Sequence, residues 1–189
     1  MNLYLRLILV VIKSFFRPRL KDIFTGGALI FRVLPNDLDT NLHMNNGRYL
    51  TIMDLGRLDL VIRTGLGRVM MKQGAIPVLS AVKMRYRIPL SPFQKYRLNT
   101  QVICWDDKWV YMKQTFTIWN GDKTGVVAAI ALLKGGFYNR RARRTVPTNE
   151  LLKILGLKED SPEFPSYILK WQEAEMAVKK ITAEQDAHS

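Results

Sequence analysis

Residues 37–49 read Asp-Leu-Asp-Thr-Asn-Leu-His-Met-Asn-Asn-Gly-Arg-Tyr. Two carboxylates, a histidine and an adjacent pair of asparagines lie in this short polar stretch. It runs without a break into an apolar segment of helical period that contains no proline and ends near Leu66. The start of a helix presents backbone N–H groups with no partner inside the helix, at the positive end of its dipole. A carboxylate in the loop ahead, Asp39, can serve as a base beside those donors. Together they suit a reaction that builds negative charge on an oxygen, because fixed donors aimed at such an oxygen stabilise it.

Each of these residues also has a structural reading. Asp37 fits a turn cap better than a functional group. Asp39 fits an Asx turn, in which its side chain holds its own loop. His43 is suited to ordering the loop through hydrogen bonds. Asn45 or Asn46 can cap the helix by accepting an N–H from its first turn. Tyr49, Ile52, Met53, Gly56 and Leu60 share one helical face, which makes Tyr49 a core residue. Asp54, Arg57 and Asp59 lie mostly off that face. Gly56 is unfavourable inside a helix by about 1 kcal/mol relative to alanine, so close approach of a sheet is the reason expected for it.

The elements that must position this junction follow from pattern. Ala28–Leu34 reads as a short strand ended by Pro35. Beyond the helix, Val69–Lys72 can add another turn before Gly74. Alternation then marks strands over Ile76–Ile88, Tyr96–Trp105 and Trp109–Trp119. Asn120-Gly121-Asp122 is a hairpin signal. Thr124–Tyr138 is almost wholly apolar and is expected to be a central strand buried on both faces. A short helix from Pro147 to Leu155 and an amphipathic helix over Tyr167–Ile181 close the chain. The expected order is strand, long helix, then four antiparallel strands joined by hairpins. The fold class is therefore α+β, with one long helix on a curved antiparallel sheet of about five strands. It divides into an apolar and basic helix at 1–23, a main domain at 24–140 and a C-terminal helical extension at 141–189.

The chain has 189 residues, a formal charge of +13 and one cysteine, Cys104. One cysteine excludes an intrachain disulfide and fits a reducing, cytoplasmic setting. With two histidines far from it there is no metal-ligand cluster, and no metal is expected. The positive charge suits an anionic partner: nucleic acid, a membrane surface or a phosphorylated ligand. Nucleic acid is disfavoured, because the cluster Arg140, Arg141, Arg143 and Arg144 lacks interleaved aromatics. Residues 3–16, LYLRLILVVIKSFF, are the most apolar stretch, yet too short to span a bilayer. Asn2, Arg6, Lys13 and Arg17 fall on one narrow helical stripe there. A basic stripe on an apolar helix fits a membrane surface through residues 1–20, peripheral rather than spanning. Packing on the domain or on a partner is the second reading, and a signal peptide is the third.

Residues 37–49, with the Leu-His-x-Asn-Asn-x-x-Tyr-Leu run, resemble the signature loop of the hot-dog-fold acyl-CoA thioesterases of the 4-hydroxybenzoyl-CoA thioesterase type. Within that family the likeness is to the thioesterase superfamily member 6-like branch, and it covers about residues 24–140. The resemblance implies a hot-dog fold and hydrolysis of an acyl-CoA or acyl-carrier thioester. It makes Asp39 the catalytic carboxylate, as nucleophile or as general base on water. It assigns the backbone N–H of Asn46 to the thioester carbonyl. It implies a homodimer or dimer of dimers with the acyl slot between subunits, and no cofactor beyond the coenzyme A of the substrate. His43 and Asn45 are then expected near the substrate. Arg85 and Arg87, with Lys83 and the arginine cluster, are candidates for its phosphates. Leu42 departs from the pattern, since many active relatives carry glycine before the position of His43. A protein of the same fold that binds acyl-CoA or lipid without hydrolysis is the alternative.

Overall fold

A computed structural model describes residues 3–20, 22–156 and 160–187, with side chains as far as residue 181. Asn2 of the expected basic stripe and the last two residues of the polar tail lie outside the described residues. The first helix, α1 (Leu3–Phe16), ends just ahead of Pro18, which disfavours helical backbone at the residue before it. A strand, β1 (Gly27–Arg32), and a single 3-10 turn (Pro35–Asp37) lead to the long helix α2 (Asn46–Thr64). Asn45 caps α2 and Gly65 closes it at φ 83°, a left-handed conformation that glycine adopts without steric cost. A short helix, α3 (Leu66–Lys72), continues it. Strands β2 (Ala75–Tyr86), β3 (Lys95–Trp105), β4 (Val110–Ile118), β5 (Val127–Asn139) and the short β6 (Arg144–Val146) follow. Helices α4 (Thr148–Ile154) and α5 (Ser166–Ala187) end the chain.

The sheet order is β1-β3-β4-β5-β2, antiparallel throughout, with β6 added to β5. This corrects the expected run of hairpins. β2 does not fold back on β3; it pairs with β5 from Ala75↔Asn139 to Tyr86↔Ala129. The connection between β2 and β3 carries Pro89 and Pro92, which cannot donate ladder hydrogen bonds. It therefore crosses over rather than turning tightly. The crossing is what places β5 in the middle. Its run of apolar residues from Val127 is buried between β4, β2 and the layers on either side, as its composition requires.

The concave face of the sheet receives α2. Tyr49, Ile52 and Met53 pack on Leu98, Phe116 and Leu133 in one core cluster. The opposite face is covered by the start of α5, where Ile168 and Trp171 meet Cys104 and Tyr111. Gly56 sits where α2 comes nearest the sheet. A Cβ there would meet Gln114 Nε2 at 2.7 Å and Leu98 Cδ2 at 2.9 Å, and would also press on Thr100 Oγ1. Gln114 is fully buried and donates to the Met53 carbonyl at 2.9 Å and to Thr100 Oγ1 at 2.8 Å. Gly56→Ala is therefore expected to destabilise the fold by roughly 1–3 kcal/mol despite its better helix propensity, because overpacking outweighs that gain. A urea midpoint measured on the purified variant tests this.

α1 lies along α2 with Arg6 and Ser14 turned inward. Arg6, Val10 and Ser14 are buried, while Tyr4, Ile8, Ile12 and Phe15 face outward. Of the basic stripe that the sequence reading gave to a membrane surface, Arg6 and Arg17 pair with the domain, while Lys13 is exposed. The structure also brings Asp59 into the interior. Asp59 accepts from Ser14 Oγ at 2.7 Å, from Arg17 at 3.3 Å and from Arg63 at 3.2 Å. Its position off the apolar face of α2 is correct, but α1 covers that side as well. Among the described residues no helix is long and apolar enough to cross a membrane.

Candidate active site

The loop ahead of α2 is closed on itself. Leu38 and Met44 form an isolated antiparallel bridge, and Asn45 N–H donates to the Asp37 carbonyl at 2.8 Å. Asp39 N–H donates to the His43 carbonyl at 2.8 Å. The Asp39 carboxylate oxygen Oδ1 accepts from the N–H groups of Asn41 at 2.9 Å and His43 at 3.2 Å. Asp39 is thus an Asx-turn residue, as its structural reading expects, and only part-exposed. That role uses Oδ1, and the turn fixes the orientation of the second oxygen.

The start of α2 is arranged around its cap. Asn45 Oδ1 accepts the Gly47 N–H at 2.8 Å, and Arg48 N–H donates to the Asn45 carbonyl at 2.9 Å. Asn46 N–H is the first of the helix, and no described residue accepts it. The Asn46 carbonyl accepts the Tyr86 hydroxyl at 3.1 Å, which pins the end of β2 to the helix start. Asn45 is therefore the capping residue, and Asn46 contributes its backbone.

Asp37 organises what lies beneath. Its carboxylate is almost fully buried and pairs with Arg6 at 2.6 Å and with Arg48 at 3.3 Å. It also accepts the Leu34 N–H at 2.9 Å, so it does cap its turn. Arg6 reaches it across 31 residues of sequence. No local signal joins positions so far apart. Asp37→Ala is expected to cost about 3–5 kcal/mol, because it leaves the Arg6 guanidinium buried without its counter-ion. Arg6→Met in the same chain should recover part of that loss, as read from denaturant midpoints in a double-mutant cycle.

Leu42 has φ 58° and is 64% exposed. The left-handed region explains why glycine suits this position. The leucine side chain is largely exposed. His43 is half-buried and lines a cleft of about 460 Å³ with Pro89, Gln94, Asn120 and Lys123. Tyr49 is core, edge-on to Phe116 and to Tyr86, and burial pushes its phenol up to about 12.

The expected phosphate ligands are spread out. Arg85 alternates with Tyr86 along β2 and so belongs to the other face of the sheet, while Arg87 donates to the Val127 carbonyl at 3.3 Å. Both are exposed. The arginine cluster lies in the turn after β5, at the Ala75 end of the β2–β5 ladder. The helix start lies at the Tyr86 end, roughly 35 Å away at about 3.4 Å per residue. Within one chain the cluster and the helix start cannot touch the same phosphate.

Sequence reasoning named no lining residues for a second cavity, of about 370 Å³, between α2 and the β2 side of the sheet. Leu58, Val61, Val78, Leu79 and Met112 give it apolar walls. Asp54 and Arg57 also line it, paired with each other, and Arg57 donates to Gln114 Oε1 at 3.1 Å. Desolvation draws the Arg57 guanidinium below its usual range, while Asp54 opposes that shift. Leu58 lies twelve residues along α2 from Asn46, or about 18 Å at 1.5 Å per residue. The apolar spacing of α2 was the signal available for these walls, but nothing in it separates a cavity lining from a packed core.

The profile of the Thioesterase-like superfamily matches residues 33–172, most of the chain and all of this site. The chain belongs to that superfamily. Its hot-dog fold is shared with the probable thioesterase YbaW of Escherichia coli, at TM-score 0.62 and 22% identity over 68% of this chain and 95% of that one. It is shared also with SAV2348 of Staphylococcus aureus, solved in complex with CoA, at TM-score 0.57 and 16% identity over 75% of this chain and 90% of that one. Among curated proteins, Protein THEM6 of Xenopus laevis is 31% identical over 168 residues, which is 89% of this chain and 77% of that protein. This thioesterase-like chain therefore carries the family's fold.

Proposed function

We propose that this protein hydrolyses an acyl-CoA or acyl-carrier thioester. The observation that carries the reading is the junction at α2. The Asx turn holds the Asp39 carboxylate in a closed loop. The bridge Leu38↔Met44 keeps that loop beside the capped helix start, where Asn46 N–H has no described acceptor. A water activated by Asp39 adds to the thioester carbonyl carbon and gives its proton to the carboxylate. The oxygen becomes an oxyanion held by Asn46 N–H and the helix dipole. The carbon–sulfur bond then breaks, and the thiolate leaves and takes up the proton. The products are a carboxylic acid and a free thiol.

The acyl chain is assigned to the apolar cavity beside α2. Its lining includes Val78 and Leu79 of β2, a sheet edge, and both are exposed. An unpaired edge of twelve residues invites another strand. A second copy paired there would wall the slot, which accords with the expected homodimer. SAV2348 was solved with CoA, which supports the same carrier here.

The test is release of free thiol by the purified full chain from acyl-CoAs of graded length. Turnover that saturates for some of them is expected. Stoichiometric binding of acyl-CoA with no thiol released, by a folded chain, would overturn hydrolysis and select the binding alternative.

A further inference from the structure

We propose that the outward face of α1 docks in the plane of an anionic lipid surface while the helix stays fastened to the domain. Leu5, Ile8, Leu9, Ile12, Phe15 and Phe16 are all exposed, Phe16 to 87%. At about 100° per residue they cover an arc of roughly 120°, wider than the two-position seam of a coiled coil. Arg6 and Ser14 of the same helix point the other way. Arg6 is held by Asp37, while Ser14 and Arg17 are held by Asp59. Leu3, Leu7 and Val10 already pack α1 into the core, and the second apolar face is left for something else.

Three observations select a lipid surface. First, α1 has 14 residues, about 21 Å of helix, short of the roughly 30 Å of a bilayer core. Lifting it away to insert deeper would strip Asp37 of the buried Arg6 guanidinium and Asp59 of Ser14 and Arg17. In-plane docking keeps both. Second, every charge between Leu3 and Leu20 is positive, and Lys13 and Arg19 remain exposed beside the apolar arc. With +13 on the whole chain, two copies meeting at this face would oppose like charges, whereas an anionic headgroup layer attracts them. Third, Arg6 joins this helix to Asp37, the first residue of the site loop. Docking thereby sets the candidate active site at the lipid boundary.

Flotation of the full chain on a density gradient tests this, with vesicles of mixed phosphatidylcholine and phosphatidylglycerol and with vesicles of phosphatidylcholine alone. Aggregates sink, so only bound protein rises. The native chain is expected to float with the mixed vesicles and far less with the neutral ones. Ile8→Gln with Ile12→Gln is expected to reduce flotation by about 10-fold or more, with far-UV circular dichroism and thiol release unchanged, since both side chains already face solvent. Equal flotation of this variant, equal flotation on neutral vesicles, or no flotation of the native chain would each overturn the proposal. So would a native dimer that the double substitution converts to monomer, which assigns the face to a second copy. Thiol release is read separately, so loss of hydrolysis and loss of docking are distinguishable.

Discussion

Asp39→Asn is expected to lower kcat on the order of 10²–10⁴-fold, with a much smaller change in KM. The substitution is chosen for what it leaves in place. The asparagine carbonyl can still accept from the N–H groups of Asn41 and His43, as Asp39 Oδ1 does at 2.9 and 3.2 Å. The Asx turn survives, and the bridge Leu38↔Met44 with it. What disappears is the negative charge and the ability to take a proton from water. Single-turnover and steady-state thiol release, with Tm measured alongside, separate the two roles of this residue. A variant with full activity would leave Asp39 as a loop-forming residue alone.

Asn46→Pro is expected to lower kcat by about 10²–10³, equivalent to roughly 3–4 kcal/mol of transition-state stabilisation. Proline lacks the N–H, and the first helical position is where a helix tolerates it best. The residue ahead must be extended, and Asn45 already is, at φ −56° and ψ 138°. The Asn46 carbonyl remains to accept the Tyr86 hydroxyl. Stability should therefore change little. Asn46→Ala, which keeps the N–H and loses only an exposed side chain, should retain activity near the native level. A proline variant as active as the alanine one would show that this amide does not hold the oxyanion.

The signature loop and the helix it feeds were legible in sequence because their interactions are local. A capping asparagine, a glycine at the helix end and an Asx turn each act over a few residues. Strand positions were legible because alternation and turn residues are local as well. Strand order was not. The expected hairpin succession and the expected central position of the last long strand cannot both hold in a simple meander. The apolar content of β5 was the sounder guide, since it reports burial on both faces. Proline in the β2–β3 connection pointed the same way.

The residues themselves determined the fold family, the turn and cap at the start of α2 and the need for Gly56 at a close contact. Only the tertiary structure decided where the N-terminal helix points its charges. Arg6 and Arg17 read as a basic stripe in any helix made from that segment, and nothing within it reveals that Asp37 and Asp59 wait 31 and 42 residues away. Burying a charge is costly unless an opposite one meets it, so the pairing sets how α1 is turned and leaves one of its apolar faces outward. Periodicity records that a helix has two faces; which of them meets the protein depends on partners that folding brings from elsewhere in the chain.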